Sequence, residues 1–354
     1  MINHWLNALA AKTMQTAPSI LVTVAKSMGS VPRLAGAKML VTSTHSIDTI
    51  GGGHLEMRAI EIARAMLAQP AGTLDAERHL ERLSLGPSLG QCCGGAVYLA
   101  FERIDEQGLH TMHCLAQHIQ QRQASWRFIS LDTTLAASLL DAAGEHLSGA
   151  PLPSALAQKI DAALPCQLHT DAAGKLWLID ACLPSKARLM LFGAGHVGAA
   201  IVRALADLPC QIIWVDERED MFPSTLPHNV SIEATDAPEA LIAAAEAGMS
   251  FLVLTHSHAL DQHLTEHILR RNDFAWFGLI GSQTKRKQFE HRLRQRSISE
   301  HSLNKMVCPI GLPGISGKEP AIIAASVAAQ LLQVWEAEQQ NMQKTVLDKY
   351  SAIA

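Results

Sequence analysis

Two adjacent thiols, Cys92 and Cys93, sit in the run Gly86-Pro87-Ser88-Leu89-Gly90-Gln91-Cys92-Cys93-Gly94-Gly95, which holds four glycines in ten residues. No packed core requires that composition. Glycines allow positive φ angles and close approach of backbone amides to a bound group. Thiolates are soft donors suited to molybdenum, copper or zinc. Neighbouring side chains diverge, so one thiol is expected to face a ligand while the other packs. A turn carrying two buried cysteines is the competing reading, because free cysteine is among the most buried residue types.

The second chemical signal is Gly193-Ala194-Gly195-His196-Val197-Gly198, with Asp216 following 18 residues after Gly198. In a dinucleotide fingerprint the first glycine makes a tight turn, the second admits a phosphate, and the third permits close helix–strand packing. A helix starting at His196 would present amide donors and a positive dipole end to an anion. His196 itself either points toward the ligand or serves as a capping or packing residue.

Thr255-His256-Ser257-His258-Ala259-Leu260-Asp261-Gln262-His263 brings three histidines and a carboxylate into eight residues. His256, His258 and Asp261 are candidate metal ligands. The spacing departs by two insertions from the H-x-H-x-D-H pattern of dinuclear hydrolases, and 17 histidines in the chain make chance clustering common. A polar, ligand-facing loop is the alternative. Lys285 and Arg286, in Gly281-Ser282-Gln283-Thr284-Lys285-Arg286-Lys287, lie at a turn where cations and helix amides could grip phosphate. Lys287, Arg292, Arg294 and Arg296 read as a solvated basic helix face. Glu56, after Gly51-Gly52-Gly53-His54, reads as a capping carboxylate or as an acid over a cleft. Cys308-Pro309-Ile310-Gly311-Leu312-Pro313-Gly314 carries a further thiol on a rigid loop.

These residues need elements to hold them. Ile20 to Ala25 and Lys38 to Thr42 read as strands about the turn Gly29-Ser30-Val31-Pro32. Leu55, Ala59, Ile62 and Met66 follow helical spacing within a helix from His54 to Ala68. Ala96 to Phe101 reads as a strand, Leu109 to Gln121 as a helix and Trp126 to Leu131 as a strand. Gln167 to Thr170 and Leu176 to Ile179 suit a hairpin. Leu189 to Phe192, Gln211 to Val215, Phe251 to Leu254 and Trp276 to Ile280 are strands alternating with helices. That alternation points to a doubly wound parallel sheet. A final helix is expected from Pro320 to about Asp348.

A chain of 354 residues exceeds what one core serves well, so two domains are expected. The fold class is α/β: an N-terminal α+β domain (1–135), a connection (136–185), a Rossmann-like domain (186–335), and the end of a C-terminal helix with a tail (336–354). The composition is 48% hydrophobic and 18% charged, an ordinary globular balance. A net charge of −4 argues against nucleic acid as the main partner. Met1 to Ile20 lacks a basic segment followed by an apolar run, and no uninterrupted apolar run reaches membrane-spanning length. Seven cysteines without scaffold spacing suit a reducing compartment, so a cytoplasmic location without a membrane partner is expected.

The chain resembles the XdhC/CoxI family, accessory proteins of xanthine dehydrogenase and related molybdenum hydroxylases. The resemblance rests on Gly29 to Arg33 with Gly36 to Met39, Gly51 to Glu56, Gly90 to Gly95, Gly193 to Gly198, Thr255 to Asp261, Gly278 to Lys287 and Cys308 to Pro320. The Gln91 to Gly95 run and the Cys308 loop are closer to the XdhC branch. The resemblance implies transient binding of the molybdenum pyranopterin cofactor and help with its sulfuration by a cysteine desulfurase. It further implies delivery to apo-xanthine dehydrogenase, without turnover of the protein's own. On that reading Gly193, Gly195, His196, Gly198, Asp216, Lys285 and Arg286 would hold the cofactor, in a cleft between the domains. Cys92, Cys93, Gly94 and Gly95 would meet its molybdenum end. A homodimer is expected, and the alanine-rich C-terminal helix either closes it or packs on its own domain. Two other classes remain open. An NAD(P)-dependent oxidoreductase would use Asp216 on a ribose and His196 or His256 as proton donor. A metal-dependent hydrolase would use His256, His258 and Asp261.

Overall fold

The computed structural model describes residues 4–10, 18–86, 94–121, 123–153, 156, 166–183 and 187–351. The chain divides into two units between Pro184 and Ser185.

In the first unit, α1 (His4–Ala10) precedes β1 (Ser19–Met28), β2 (Lys38–Val41) and β3 (Ser46–Asp48). Then come α2 (Gly53–Ala68), α3 (Leu74–Glu77), β4 (Arg78–Ser84), β5 (Ala96–Ile104) and α4 (Glu106–Gln120). The chain continues through β6 (Ser125–Ser130), β7 (Ser138–Asp141), β8 (His146–Ser148), β9 (Cys166–Thr170) and β10 (Leu176–Cys182). Two five-stranded antiparallel sheets result, in the orders β3-β2-β1-β5-β4 and β8-β7-β6-β10-β9. Residues 136–185, expected as a connection, thus carry four strands of the second sheet, and the expected hairpin is the β9–β10 pair. Weak periodicity hid β7 and β8, which are only four and three residues long.

β1 is buried from Ser19 to Ala25 because both of its faces are covered. Ile20, Val22 and Val24 pack with Leu55, Ala59, Ala63 and Met66 of α2. Ala25, on the opposite face, shares a cluster with Ile129 and Leu178 of the second sheet. That inter-sheet layer also holds charge. Asp180 accepts from Lys38 Nζ at 2.8 Å and from Arg127 Nη1 at 3.2 Å, and Arg127 Nη2 donates to Glu102. All four residues are nearly inaccessible to solvent.

The second unit contains β11 (Arg188–Phe192), α5 (His196–Leu205), β12 (Gln211–Asp216), β13 (Val230–Ala234), α6 (Pro238–Ala244), β14 (Ser250–Val253), α7 (His258–Arg271) and β15 (Trp276–Leu279). It closes with α8 (Gln283–Gln295), α9 (Glu300–Asn304), β16 (Met306–Val307) and α10 (Pro320–Ser351). Six parallel strands run in the order β13-β12-β11-β14-β15-β16. This is the doubly wound 3-2-1-4-5-6 arrangement, in which the crevice between the first and fourth strands faces a ligand. One face of the sheet packs on α5 and α10 through Leu189, Leu191, Ile201, Leu205, Val327 and Leu331. The other packs on α7 and α8 through Phe251, Leu264, Phe277 and Phe289. The segment Pro320–Glu338 is long and apolar enough to cross a membrane by length and composition. Its Ala324, Val327, Ala328, Leu331 and Trp335 are buried in the sheet-facing cluster.

Candidate functional site

The glycine turn is built as its residue types require. Gly193 has a φ of 120°, and a Cβ there would overlap the carbonyl oxygen of Leu254 on the neighbouring strand end. A Cβ on Gly198 would overlap the Gly193 carbonyl, so α5 can approach the turn only because that position lacks a side chain. Gly195 is different. No atom stands within 4 Å of where its Cβ would lie, so the space in front of the turn is open. Gly195 is also the N-cap of α5, and no side chain caps the first amides. His196 is the exposed first residue of that helix.

Asp216, at the end of β12, lies beside this turn but is fully engaged. Its Oδ2 accepts from Ala194 N at 2.7 Å and Arg218 Nη2 at 2.9 Å. Its Oδ1 accepts from Arg218 N at 3.1 Å and Nε at 2.9 Å. Burial alone would raise this carboxyl, yet the Arg218 side chain and the two amides hold it below the usual carboxylate range. Asp216 therefore ties the glycine turn to β12 instead of offering free oxygens to a ribose.

Lys285 and Arg286 are also committed. Lys285 Nζ donates to Asp261 Oδ2 at 2.6 Å and to Ile280 O at 2.9 Å. Asp261 Oδ1 accepts from Thr255 N at 3.0 Å and Oγ1 at 2.8 Å. Arg286 Nε reaches Glu290 at 2.7 Å and its Nη1 reaches Cys308 O at 3.3 Å. An ammonium with so little exposure requires such partners. The Lys285 contacts join the β14–α7 loop to the β15–α8 loop, and Arg286 ties α8 to the segment after β16.

His256 is exposed, with its Nε2 at 3.6 Å from Glu217 Oε1, and His258 is the exposed first residue of α7. No group of three or more metal-binding side chains occurs among the described residues. His256, His258 and Asp261 thus do not assemble the ligand set of the hydrolase reading. A small open pocket lies at the carboxyl ends of β11, β12 and β14. Its walls include Phe192, Val215, Pro238 and Leu260, with Glu217, Asp236 and His256 among its polar lining.

In the first unit, Cys92 and Cys93 lie outside the described residues. The exit of their loop is described. Gly95 O accepts from Leu85 N at 2.8 Å, and a Cβ on Gly95 would overlap the carbonyl oxygens of Met28 and Ser30. A Cβ on Gly51 would in turn overlap Pro32. The turns at 29–32, at 51–53 and at 94–95 therefore gather at one end of the first sheet. Sequence reasoning singled out each turn but not their meeting. Glu56 is the capping carboxylate, its Oε1 accepting from Ile50 N at 3.0 Å and Gly52 N at 2.8 Å. Among the described cysteines, burial pushes Cys182 up to about 12 and Cys210 and Cys308 up to about 11, and it raises Cys166 as well. Those four thiols stay protonated at neutral pH and are weak nucleophiles and metal ligands.

The sequence matches two models of one family. Residues 189–331 match the XdhC Rossmann domain, and residues 14–76 match the XdhC and CoxI family. The chain belongs to the XdhC and CoxI family. A curated relative in Bacillus subtilis (strain 168), described as a probable subunit of xanthine dehydrogenase, is 24% identical over 89% of this chain and 92% of its own. YqeB of Escherichia coli (strain K12), described as uncharacterized, is 28% identical over 47% of this chain, and the match spans 30% of that longer protein. A crystal structure described as a xanthine dehydrogenase from Bacillus halodurans superposes with a TM-score of 0.74 at 19% identity, covering 94% of this chain and 95% of that one. That superposition places the present XdhC/CoxI chain in the same overall fold.

Proposed function

We propose that this chain is an accessory protein of xanthine dehydrogenase maturation that carries the molybdenum pyranopterin cofactor as cargo. The observation that carries the reading is the family match across both units. The curated relative described as a probable part of xanthine dehydrogenase adds to it. The partners on this reading are the apoenzyme and a cysteine desulfurase that supplies sulfur for the cofactor.

The residues present fit the phosphate end of such a cargo. The open space before Gly195 and the uncapped amides of α5 suit a phosphate monoester. Lys285 acts at one remove, by fixing the two loops beside the cradle, while Arg286 ties its helix to the Cys308 carbonyl. At the metal end a soft donor is needed. The four buried thiols are held protonated, and the adjacent thiols of the glycine-rich run, Cys92 and Cys93, are assigned to that end.

Incubating the protein with released molybdenum cofactor, then measuring retained molybdenum and pterin, tests the reading. Wild type should retain both near stoichiometrically, and the Cys92→Ala/Cys93→Ala double variant should lose most of the molybdenum while keeping the wild-type thermal transition. Absence of molybdenum from the wild-type protein would defeat the proposal. Full activation of apo-xanthine dehydrogenase by the double variant would remove the thiols from it.

A further inference from the structure

Away from the glycine cradle and the thiol loop, α7 carries the run His263-Leu264-Thr265-Glu266-His267. Residues four apart on a helix lie on one face, so the two imidazoles are neighbours. Leu264 and Ile268, each one position further along, are fully buried and turn that face outward. The ring centroids of His263 and His267 are 4.6 Å apart, and the ring planes meet at 59°. Two imidazoles sharing one ion through their ring nitrogens place their centroids about 5 Å apart. The rings therefore already stand near the spacing a shared cation requires.

α6 adds a carboxylate to this face. Glu239 Oε2 lies 3.6 Å from His263 Nε2, and both side chains reach solvent. The two helices are tied at their C-terminal ends, where Arg271 Nη1 donates to the carbonyls of Ile242 and Ala243. The H-x-x-E-H spacing is that of zinc-peptidase helices, in which the glutamate acts on water. Here Glu266 accepts instead from Arg270 Nη2 at 2.8 Å and from Arg296 Nη1. This turn of helix thus keeps the two ligands and has its glutamate engaged elsewhere. No group of three or more metal-binding side chains occurs among the described residues, so the coordination it offers is two imidazoles completed by water.

We propose that His263 and His267 chelate a borderline divalent cation of the zinc(II) class on the outer face of α7, with Glu239 offsetting its charge. Neutral imidazole suits such ions. The bound ion bridges one turn of α7 and draws it toward α6. This site goes beyond the cofactor-carrier reading, because neither histidine belongs to the glycine cradle or the thiol loop.

The test is calorimetric titration of Zn²⁺ into the full-length chain, without molybdenum cofactor. Zinc taken up elsewhere, at the thiol loop for instance, is common to all variants and cancels. Wild type should bind one equivalent more than His263→Ala/His267→Ala. Either single alanine should weaken that equivalent at least about a hundredfold, and Glu239→Gln, which keeps both rings, by about tenfold. All these side chains reach solvent, so each variant should keep the wild-type thermal transition before zinc is added. His258 lies on the same helix but has Gln262 one turn on, so His258→Ala should leave the equivalent in place. Equal zinc uptake by wild type and the double variant would overturn the proposal. So would a loss in His258→Ala as large as that in His267→Ala, which would mean that zinc binds histidines without regard to their pairing. Because no molybdenum is present, either result leaves the carrier reading intact, and failure of cofactor retention leaves this site intact.

Discussion

Asp216 shows how a motif residue can keep its place and change its task. At the end of the second strand of a dinucleotide fold such an acid accepts from a ribose. Here Arg218, two residues on, folds back onto it in a two-pronged pair, and Ala194 N completes the set. Its carboxyl is held below the usual range, so its stabilising contribution is fully present above about pH 4, the unfolded value, and fades as pH falls through the lowered folded value. Asp216→Asn should destabilise the protein by about 1–2 kcal/mol at neutral pH. Urea titrations of both proteins should show that difference shrinking below about pH 4; a difference independent of pH would mean that the charge of Asp216 is irrelevant. Asp216 was legible in the sequence from its spacing. Its saturation was not, because Arg218 belongs to no motif.

Among elements, α5 carries the clearest division of labour. Gly198 lets the helix approach the strand turn, and Gly195 leaves room in front of it. Gly198→Ala places a methyl group on the Gly193 carbonyl and should cost about 1–3 kcal/mol, typical of overpacking. Gly195→Ala points into open space and should leave the thermal transition close to wild type. Equal transitions for the two variants would show that the helix does not rest on the turn as described. The glycine pattern and the expected strand Leu189 to Phe192 announced this unit in the sequence. β13 was missed because its residues are mostly exposed and lack the apolar run of the central strands. The expected end of α5 near Leu208 lies beyond its observed end at Leu205.

For the molecule as a whole, the two units rest on different interiors. The 185–354 unit covers both sheet faces with apolar helices. The 3–184 unit instead places Lys38, Glu102, Arg127 and Asp180 between its two sheets. Such a set is stable only while it is complete, because removing one partner strands a charge away from water. Asp180→Asn, which leaves Lys38 and Arg127 facing a neutral amide, should cost about 3–5 kcal/mol. Differential scanning calorimetry should show a clearly lowered transition, and an unchanged one would mean that water reaches this layer.

The sequence by itself determined the elements that carry local signals. Helical spacing marked α2, apolar runs marked β1, β5, β11 and β14, and the glycine spacing marked the turn before α5. Each of these is set by neighbours a few residues apart. Tertiary structure alone decided which charges are free. Lys285 and Arg286 looked like phosphate ligands until Asp261 and the Cys308 carbonyl, reached through strand order and loop packing, and Glu290, one helical turn from Arg286, took up their donors. Glu217 and Asp236 carried no motif and became pocket walls only because β12, β13 and β14 end side by side. Hydrogen-bond partners 20 or more residues away in the chain leave no periodicity to read, so the function of an ionisable side chain is fixed last, by packing.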